Sequence, residues 1–478
     1  MTPPELPPEP VGAEAPARRR IWRDVKESVA GSEQDFTRGS LRRAVLLLAV
    51  PMVLEMAMES VFAVVDAFFV ARLGADAIAT VGLTEAALTL VFAIAIGLSL
   101  GATAMVSRRV GEGDREGAAV AAVQSYALGL AVSAGVAAVG LLAAPRVLRL
   151  MGAAPSVVEV GAGYTTVLLA GSVTAVLLFL GNAVFRGAGD AAIAMRVLWL
   201  ANLVNIVLDP CLIFGWGPFP ELGLTGAAVA TTIGRGCGVA YQLVVLVRGR
   251  GRVALGRRHL RVDPAVLGRL VRVSAGGVFQ YLVATASWIA LVRVIAVFGS
   301  AALAGYTLAV RIIIFTILPS WGLSNAAATL VGQNLGAGQP ERAERSAWLT
   351  ARYNVVFLGA VSVVFLLFPQ VLLSLFTSDP EVMAVGVSCL RWVASCYGVY
   401  AFGLVMIQAL NGAGDTTTPT ILNLVFYWLW QIPVGWALAV PGGMGPTGVF
   451  IGLASSEVLL GIAGILVFRR GRWKQRKV

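Results

Sequence analysis

The fold is decided by VLLLAVPMVLEMAMESVFAVVDAFFV, the stretch Val45–Val70, which is apolar and long enough to cross a lipid bilayer. Three carboxylates interrupt it: Glu55, Glu59 and Asp66. They are spaced by four and seven residues, so on a helix that turns about 100° per residue they share one face. A carboxylate at the centre of a membrane helix costs on the order of 3 kcal/mol. This face should therefore meet protein or water, and its default interpretation is an ion or proton site.

Composition extends this conclusion to the whole chain. Of the 478 residues, 58% are hydrophobic and 13% are charged, whereas soluble domains contain about 25% charged residues. Apolar segments of about 20 residues recur roughly twelve times. The sequence therefore predicts an all-α polytopic membrane protein with twelve transmembrane helices. A membrane β-barrel is excluded because it would consist of short alternating segments.

The net charge of +11 reflects membrane topology and is not a sign of nucleic-acid binding, since the basic residues cluster at the termini and between apolar runs. Their distribution predicts a multi-pass protein of the cell inner (cytoplasmic) membrane with both termini in the cytoplasm. A monomer in the bilayer is expected. The predicted parts are a disordered cytoplasmic tail (1–40), an N-terminal six-helix lobe (41–247), a basic cytoplasmic linker (248–269), a C-terminal six-helix lobe (270–468) and a basic tail (469–478).

An internal repeat relates the two lobes. RGAGD ending at Asp190 recurs as NGAGD ending at Asp415, and GEG at Gly111–Gly113 recurs as GAG at Gly336–Gly338. Both pairs, and two shorter ones, share one and the same offset in residue number. Because each half has six spans, the halves have the same orientation. Parallel repeats of this kind are typical of secondary transporters, with the substrate path between the halves.

The repeat is not symmetric in charge. The positions that the shared offset pairs with Glu55, Glu59 and Asp66 are Gln280, Ala284 and Leu291. Packing alone would not demand this difference, so the ion chemistry is expected in the N-terminal lobe.

A second polar group lies in the fifth and sixth spans. Asn205 and Asp209 are four residues apart and share a helix face. Thr231 adds a hydroxyl from the sixth span, and Asn182 lies near the end of the fourth. Carboxylates suit reversible protonation, and with amide and hydroxyl oxygens they also suit Na⁺, so the sequence leaves H⁺ and Na⁺ open. No cofactor and no catalytic or transition-metal constellation is indicated, and the chain is not expected to be an enzyme.

Two further features carry alternatives. Pro51, inside the first span, is either a hinge that lets the helix bend or a static kink. Arg235 and Glu457 occupy matching places in the two halves, at the slightly shorter offset that relates Gly223–Gly226 to Gly445–Gly448. We favour a structural role for both charged residues over substrate binding, because polar groups in membrane spans often serve packing.

The chain resembles the multidrug and toxic compound extrusion (MATE) transporters from about residue 40 onward. The resemblance rests on the first-span pattern and on the motifs GLSLGATAMVSRRVGEGD, GNAVFRGAGD, NIVLDP and GLTGAAVATT. It implies antiport that exports organic, cationic and amphipathic drugs in exchange for H⁺ or Na⁺. The residues it implicates by motif position are Asp66, Asn182, Asn205, Asp209 and Thr231, with Pro51 as the bending proline.

The sequence also departs from the family pattern. Other branches carry acids in the seventh and tenth spans, which have none here, so coupling is expected through the N-terminal lobe. Glu55 and Glu59 are additional acids, and Glu59 is a candidate second protonatable group. The main alternative function is a lipid-linked saccharide flippase of related architecture. An acidic N-terminal lobe disfavours it, because a pyrophosphate would need a cationic cavity. A channel and a membrane-embedded enzyme fit less well.

Overall fold

The protein is an all-helical bundle in the computed structural model, which describes residues 17–32 and 34–476. Within these residues twelve helical spans are long and apolar enough to cross a membrane, as predicted. The N-terminal half has one short helix and six spans, the fourth of which is interrupted at Gly171. Its helices are α1 (Ala17–Ala30), α2 (Leu41–Ala71), α3 (Ala75–Gly111), α4 (Arg115–Leu150), α5 (Pro155–Ala170), α6 (Ser172–Ala188), α7 (Ala191–Phe214) and α8 (Leu224–Val247).

The C-terminal half also has six spans, but its fourth span is a continuous helix and its fifth contains an irregular segment. A π-helical segment, Leu424–Gln431, joins two short helices into the eleventh span. The helices of this half are α9 (Pro264–Ala296), α10 (Ser300–Gly336), α11 (Pro340–Leu367), α12 (Pro369–Ser374), α13 (Pro380–Gly412), α14 (Thr417–Asn423), α15 (Ile432–Ala439) and α16 (Pro446–Arg469).

Backbone geometry at the turns reproduces the sequence repeat. Gly74 and Gly299, which the repeat pairs with each other, have φ of 98° and 95°. Gly189 and Gly414, a second pair at the same offset, have φ of 92° and 85°. Side chains with a Cβ rarely adopt these angles, so glycine is required at both members of each pair. The repeated motifs are therefore equivalent turns in two related lobes.

The lobes meet where α2 packs against α10 and α3 against α9. At the end of this interface Gly111 lies directly on the backbone of Gln333, and Gly336 lies on the backbone of Arg108. Neither glycine has room for a Cβ. Since α3 ends and α9 begins here, the closed end of the bundle carries the basic linker, and it is the end predicted to face the cytoplasm.

The structure differs from the predicted disordered tail over residues 1–40 in its second half; residues 1–16 and 33 lie outside the described residues. Ala17–Ala30 forms α1, which packs on α2. Arg43 holds this helix through Asp24 at 3.3 Å and Glu27 at 2.5 Å. Asp24 and Glu27 are therefore paired with an arginine of α2. The amino-acid composition of the tail alone does not reveal this contact.

One other boundary differs from prediction, and the C-terminal tail is folded. The helix of the seventh span begins at Pro264, because Asp263 caps it by accepting from the backbone N–H groups of Ala265 and Val266 at 2.9 and 3.1 Å. The predicted linker 248–269 therefore ends earlier. In the C-terminal tail, the Trp473 ring stacks on Phe468 at 4.6 Å, so this segment is folded against its lobe.

Candidate functional site

A cavity of about 190 Å³ lies between the lobes, and both lobes line it. The N-terminal lobe contributes the charged side chains of the lining, whereas the C-terminal lobe contributes Tyr281, Trp321 and Gln408 among others. The charged and amide side chains from the N-terminal lobe are Glu55, Glu59, Asn182, Arg186, Asn202 and Arg235. Of the sequence-predicted site residues, Asn182 and Glu59 therefore reach this cavity.

A buried ion pair forms one wall. Glu55, 1% exposed, accepts hydrogen bonds from Arg186 at 2.7 Å and from Asn182 at 3.0 Å. Asn182 in turn accepts from Gln242 at 2.8 Å. Arg186 and Asn182 are four residues apart on α6, so both face α2. Charge-assisted bonds of this kind fix the side-chain positions on three helices.

Glu59 connects the first and fifth spans. Its carboxylate accepts a hydrogen bond from Asn202 of α7 at 3.2 Å. The contact links the helix that carries the acids to the helix that carries Asp209.

A second group lies within the N-terminal lobe, apart from the cavity lining. Asn205 donates to the hydroxyl of Thr231 at 2.9 Å. Asp209 is fully buried, and neither of its carboxylate oxygens has a hydrogen-bond partner among the described residues; the side-chain oxygen of Asn205 has none there either. Three buried oxygens without donors are costly, and a proton or a small cation would satisfy them.

Asp66 interacts electrostatically with this second group. Its half-buried carboxylate interacts with the charges of Asp209, Arg235 and Glu85. Pro51 is buried in α2, which continues as a helix on both sides of it. The predicted residues thus divide into a cavity group and an interior group joined by α2 and α7.

Three polar residues that take part in these interactions were not predicted from the sequence. Arg186 lies at the start of the repeated motif RGAGD, and its spacing of four residues from Asn182 places the two on one helix face. Glu85 is an acid inside the second span, and Gln242 an amide inside the sixth. A search for every polar residue within the predicted spans would have found them. Arg235, expected to be structural, lies over the ring of Phe92 at 5.6 Å and also lines the cavity.

Comparison with known proteins assigns the chain to a family. The MatE family model matches residues 51–211 and, a second time, 278–437, one match in each lobe. The chain is 28% identical to a probable multidrug resistance protein NorM of Thermotoga maritima, over 92% of this chain and 94% of the relative. It is also 28% identical to an FAD transporter of Shewanella oneidensis, over 88% and 93%.

A solved structure has the same architecture. It is the outward-facing conformation of a multidrug resistance MATE family transporter, which superposes with a TM-score of 0.85 at 28% identity and covers 91% of this chain and 96% of that one. The family model, the relatives and the twelve-span fold agree. The chain belongs to the multidrug and toxic compound extrusion (MatE) family of membrane transporters.

Proposed function

We propose that this transporter exports organic, cationic and amphipathic compounds in exchange for H⁺ or Na⁺. The observation that carries the proposal is the buried carboxylate of Asp209, unpartnered within the described chain, beside the unpartnered oxygen of Asn205. These groups would hold the coupling ion, as a proton on Asp209 or as Na⁺ bound by the carboxylate and amide oxygens. We favour H⁺. Asp66 supplies a second negative charge that repels an ionised Asp209 and so favours uptake of a cation.

The first span is the proposed link between ion and substrate. It carries Asp66 at the interior group and Glu59 at the cavity, and it packs against α10 of the other lobe. A change of charge at Asp66 would alter the forces on this helix, which Pro51 divides. The helix would then shift the cavity wall and the lobe interface together. Rocking of two lobes around a fixed site is the general scheme for repeats of this kind.

The substrate class follows from the cavity and from the relatives. Relatives of this chain are named for multidrug resistance, and the C-terminal side of the cavity contributes the aromatic rings of Tyr281 and Trp321. Such a wall suits flat apolar molecules that carry a cationic group.

An anionic substrate, such as a lipid-linked pyrophosphate or a dinucleotide, is the second candidate. Two arginines in the cavity lining, Arg186 and Arg235, favour it. However, Arg186 is neutralised by Glu55, and Arg235 faces the charges of Glu59 and Asp66. The lining therefore has no surplus of positive charge among its described residues, and a cationic substrate fits better.

Efflux from proteoliposomes tests the proposal. A proton gradient at constant Na⁺ and a Na⁺ gradient at constant pH are imposed separately, and extrusion of ethidium is followed. Asp209→Asn should abolish gradient-driven extrusion, whereas Asp76→Asn, at an exposed carboxylate of the same lobe, should leave it intact. Wild-type extrusion by Asp209→Asn under either gradient would refute the assignment of the coupling site.

The proposal includes a monomer in the cell inner membrane with both termini in the cytoplasm. Single cysteines introduced near each terminus should be inaccessible to membrane-impermeant maleimide in intact cells and reactive after lysis. Labelling in intact cells would show that the labelled terminus lies outside the cytoplasm, contrary to the proposed orientation.

A further inference from the structure

A larger cavity of about 440 Å³ is lined by the C-terminal lobe except for Thr89 of α3, and it shares Tyr281 and Trp321 with the cavity between the lobes. A smaller neighbour of about 100 Å³ shares several of its wall residues, including Glu457. The larger volume falls within the range of small-molecule sites, about 300–1,000 Å³. Its lining is rich in aromatic rings, among them Tyr281, Trp288, Tyr306, Trp321, Tyr397 and Tyr400.

Glu457 is the one carboxylate among the described residues of this lining. It lies at the middle of α16, where a charge in a membrane span is expensive. The hydroxyl of Tyr427 interacts with its carboxylate, but the oxygen Oε2 is buried without a partner in the described structure. In the described part of the chain, no arginine or lysine neutralises this carboxylate. The carboxylate therefore has no positively charged partner in the described structure, and a cationic ligand could supply one.

The rings around Glu457 are held in defined positions. Tyr397 and Tyr400 stack with centroids 6.1 Å apart, and Tyr281 meets Trp321 edge to face at 6.1 Å. Tyr427 lies on the π-helical segment Leu424–Gln431, a distortion that is frequent at functional sites. Aromatic faces attract organic cations, and a preformed arrangement lowers the entropy cost of binding.

This cavity does not repeat the acidic residues that the N-terminal lobe contributes to the cavity between the lobes. The equivalents of Glu55 and Glu59 are Gln280 and Ala284, and both line the smaller cavity. The acid comes instead from the last span, where the N-terminal lobe has Arg235. The two lobes therefore place their acids on different helices, and the C-terminal arrangement needs an explanation of its own.

We propose that this cavity is a second binding site, which takes the cationic group of an amphipathic substrate. Glu457 pairs with the positive charge, while Tyr400, Tyr427 and Trp321 enclose it. The inference rests on the proposed export of organic cations and adds a site in the C-terminal lobe to it.

Binding of tetraphenylphosphonium to the purified protein in nanodiscs, without any gradient, tests this site. The uncharged triphenylphosphine oxide serves as the matched neutral probe, and both are measured by equilibrium dialysis. Glu457→Gln should weaken tetraphenylphosphonium binding about tenfold or more, since a charge-assisted contact is lost, and should leave the oxide unaffected. Glu381→Gln, at an exposed glutamate of the same lobe, should change neither.

A second variant keeps the test decisive if Glu457→Gln does not fold. Tyr400→Leu removes a ring but no charge and should weaken the cation about threefold or more. Unchanged cation binding in folded Glu457→Gln, equal loss of both probes, or absence of wild-type binding would each overturn the inference. Asp209→Asn should retain tetraphenylphosphonium binding while losing coupled efflux, so failure of the coupling proposal and failure of this site give different results.

Discussion

Arg235 of α8 and Glu457 of α16 occupy equivalent positions in the two lobes and carry opposite charges. Their offset in residue number equals that of the turns before these helices, where Gly223 and Gly445 have φ of 55° and 60°. Arg235 lines the cavity between the lobes, and Glu457 lines the larger cavity of the C-terminal lobe. The repeat has therefore preserved backbone geometry while reversing the charge at this position.

The ion pair between Glu55 and Arg186 should contribute strongly to stability. Arg186→Ala would leave the Glu55 carboxylate buried without its cation, and such a change costs about 3–5 kcal/mol. Thermal unfolding of the purified protein should therefore occur at clearly lower temperature. Glu55→Gln combined with Arg186→Gln should recover most of the loss, because neither residue is then charged.

The control for this buried pair is an ion pair near the protein surface. Arg109, which is half-buried, contacts Glu112 at 3.0 Å and Asp114 at 3.4 Å near the surface, where an ion pair contributes about 0–1 kcal/mol. Arg109→Ala should change the unfolding temperature little. Equal effects of the Arg186 and Arg109 substitutions would contradict the claim that burial makes the first pair important.

The closed end of the bundle should open when a methyl group is added to its tightest contact. Gly111 lies against the backbone of Gln333, so Gly111→Ala would separate α3 from α10 at this end. Gly82, earlier in α3, faces open space, and Gly82→Ala is the control. Spin labels placed across this end should report longer distances in Gly111→Ala alone. Unchanged distances would mean that the helices absorb the methyl group without moving.

Much of this architecture was predictable because it depends on local rules. A membrane span needs about 20 apolar residues, and a turn with positive φ needs glycine, so both the spans and the repeat could be recognised in the sequence. Contacts between distant helices obey no such rule. The spacing of Asn182 and Arg186 predicts a shared face, but only the packing brings that face to Glu55, which lies far earlier in the chain.

The cavity around Glu457 illustrates the same limit. A carboxylate in a span is visible in the sequence, but its aromatic surroundings depend on the π-helical segment that positions Tyr427. No residue in Leu424–Gln431 signals that geometry by itself. A structural role for Glu457 was therefore the reasonable expectation, and the cavity lining is what now argues for a ligand.

Arg342 should hold the N-terminal segment against the C-terminal lobe. Its guanidinium donates to the backbone carbonyls of Phe36, Arg38 and Gly39 at 3.2, 2.9 and 3.0 Å. Arg342→Ala removes these bonds, so amide hydrogen exchange in residues 34–40 should accelerate about tenfold or more. Arg345→Ala, at an exposed arginine of the same helix, should leave the exchange unchanged. Equal exchange in both variants would show that other contacts suffice.

Pro51 should matter for transport more than for stability. Because proline lacks an N–H group, the carbonyl of Leu47 receives no helical hydrogen bond from this position, and α2 is weakened here. Pro51→Ala restores the bond and stiffens the helix that carries Glu59 and Asp66. We expect unfolding at the same or higher temperature together with slower gradient-driven efflux. Pro145→Ala, which makes the same change inside α4, should stabilise its helix without slowing efflux. If Pro51→Ala transports at the wild-type rate, Pro51 is a static kink and movement of α2 does not require it.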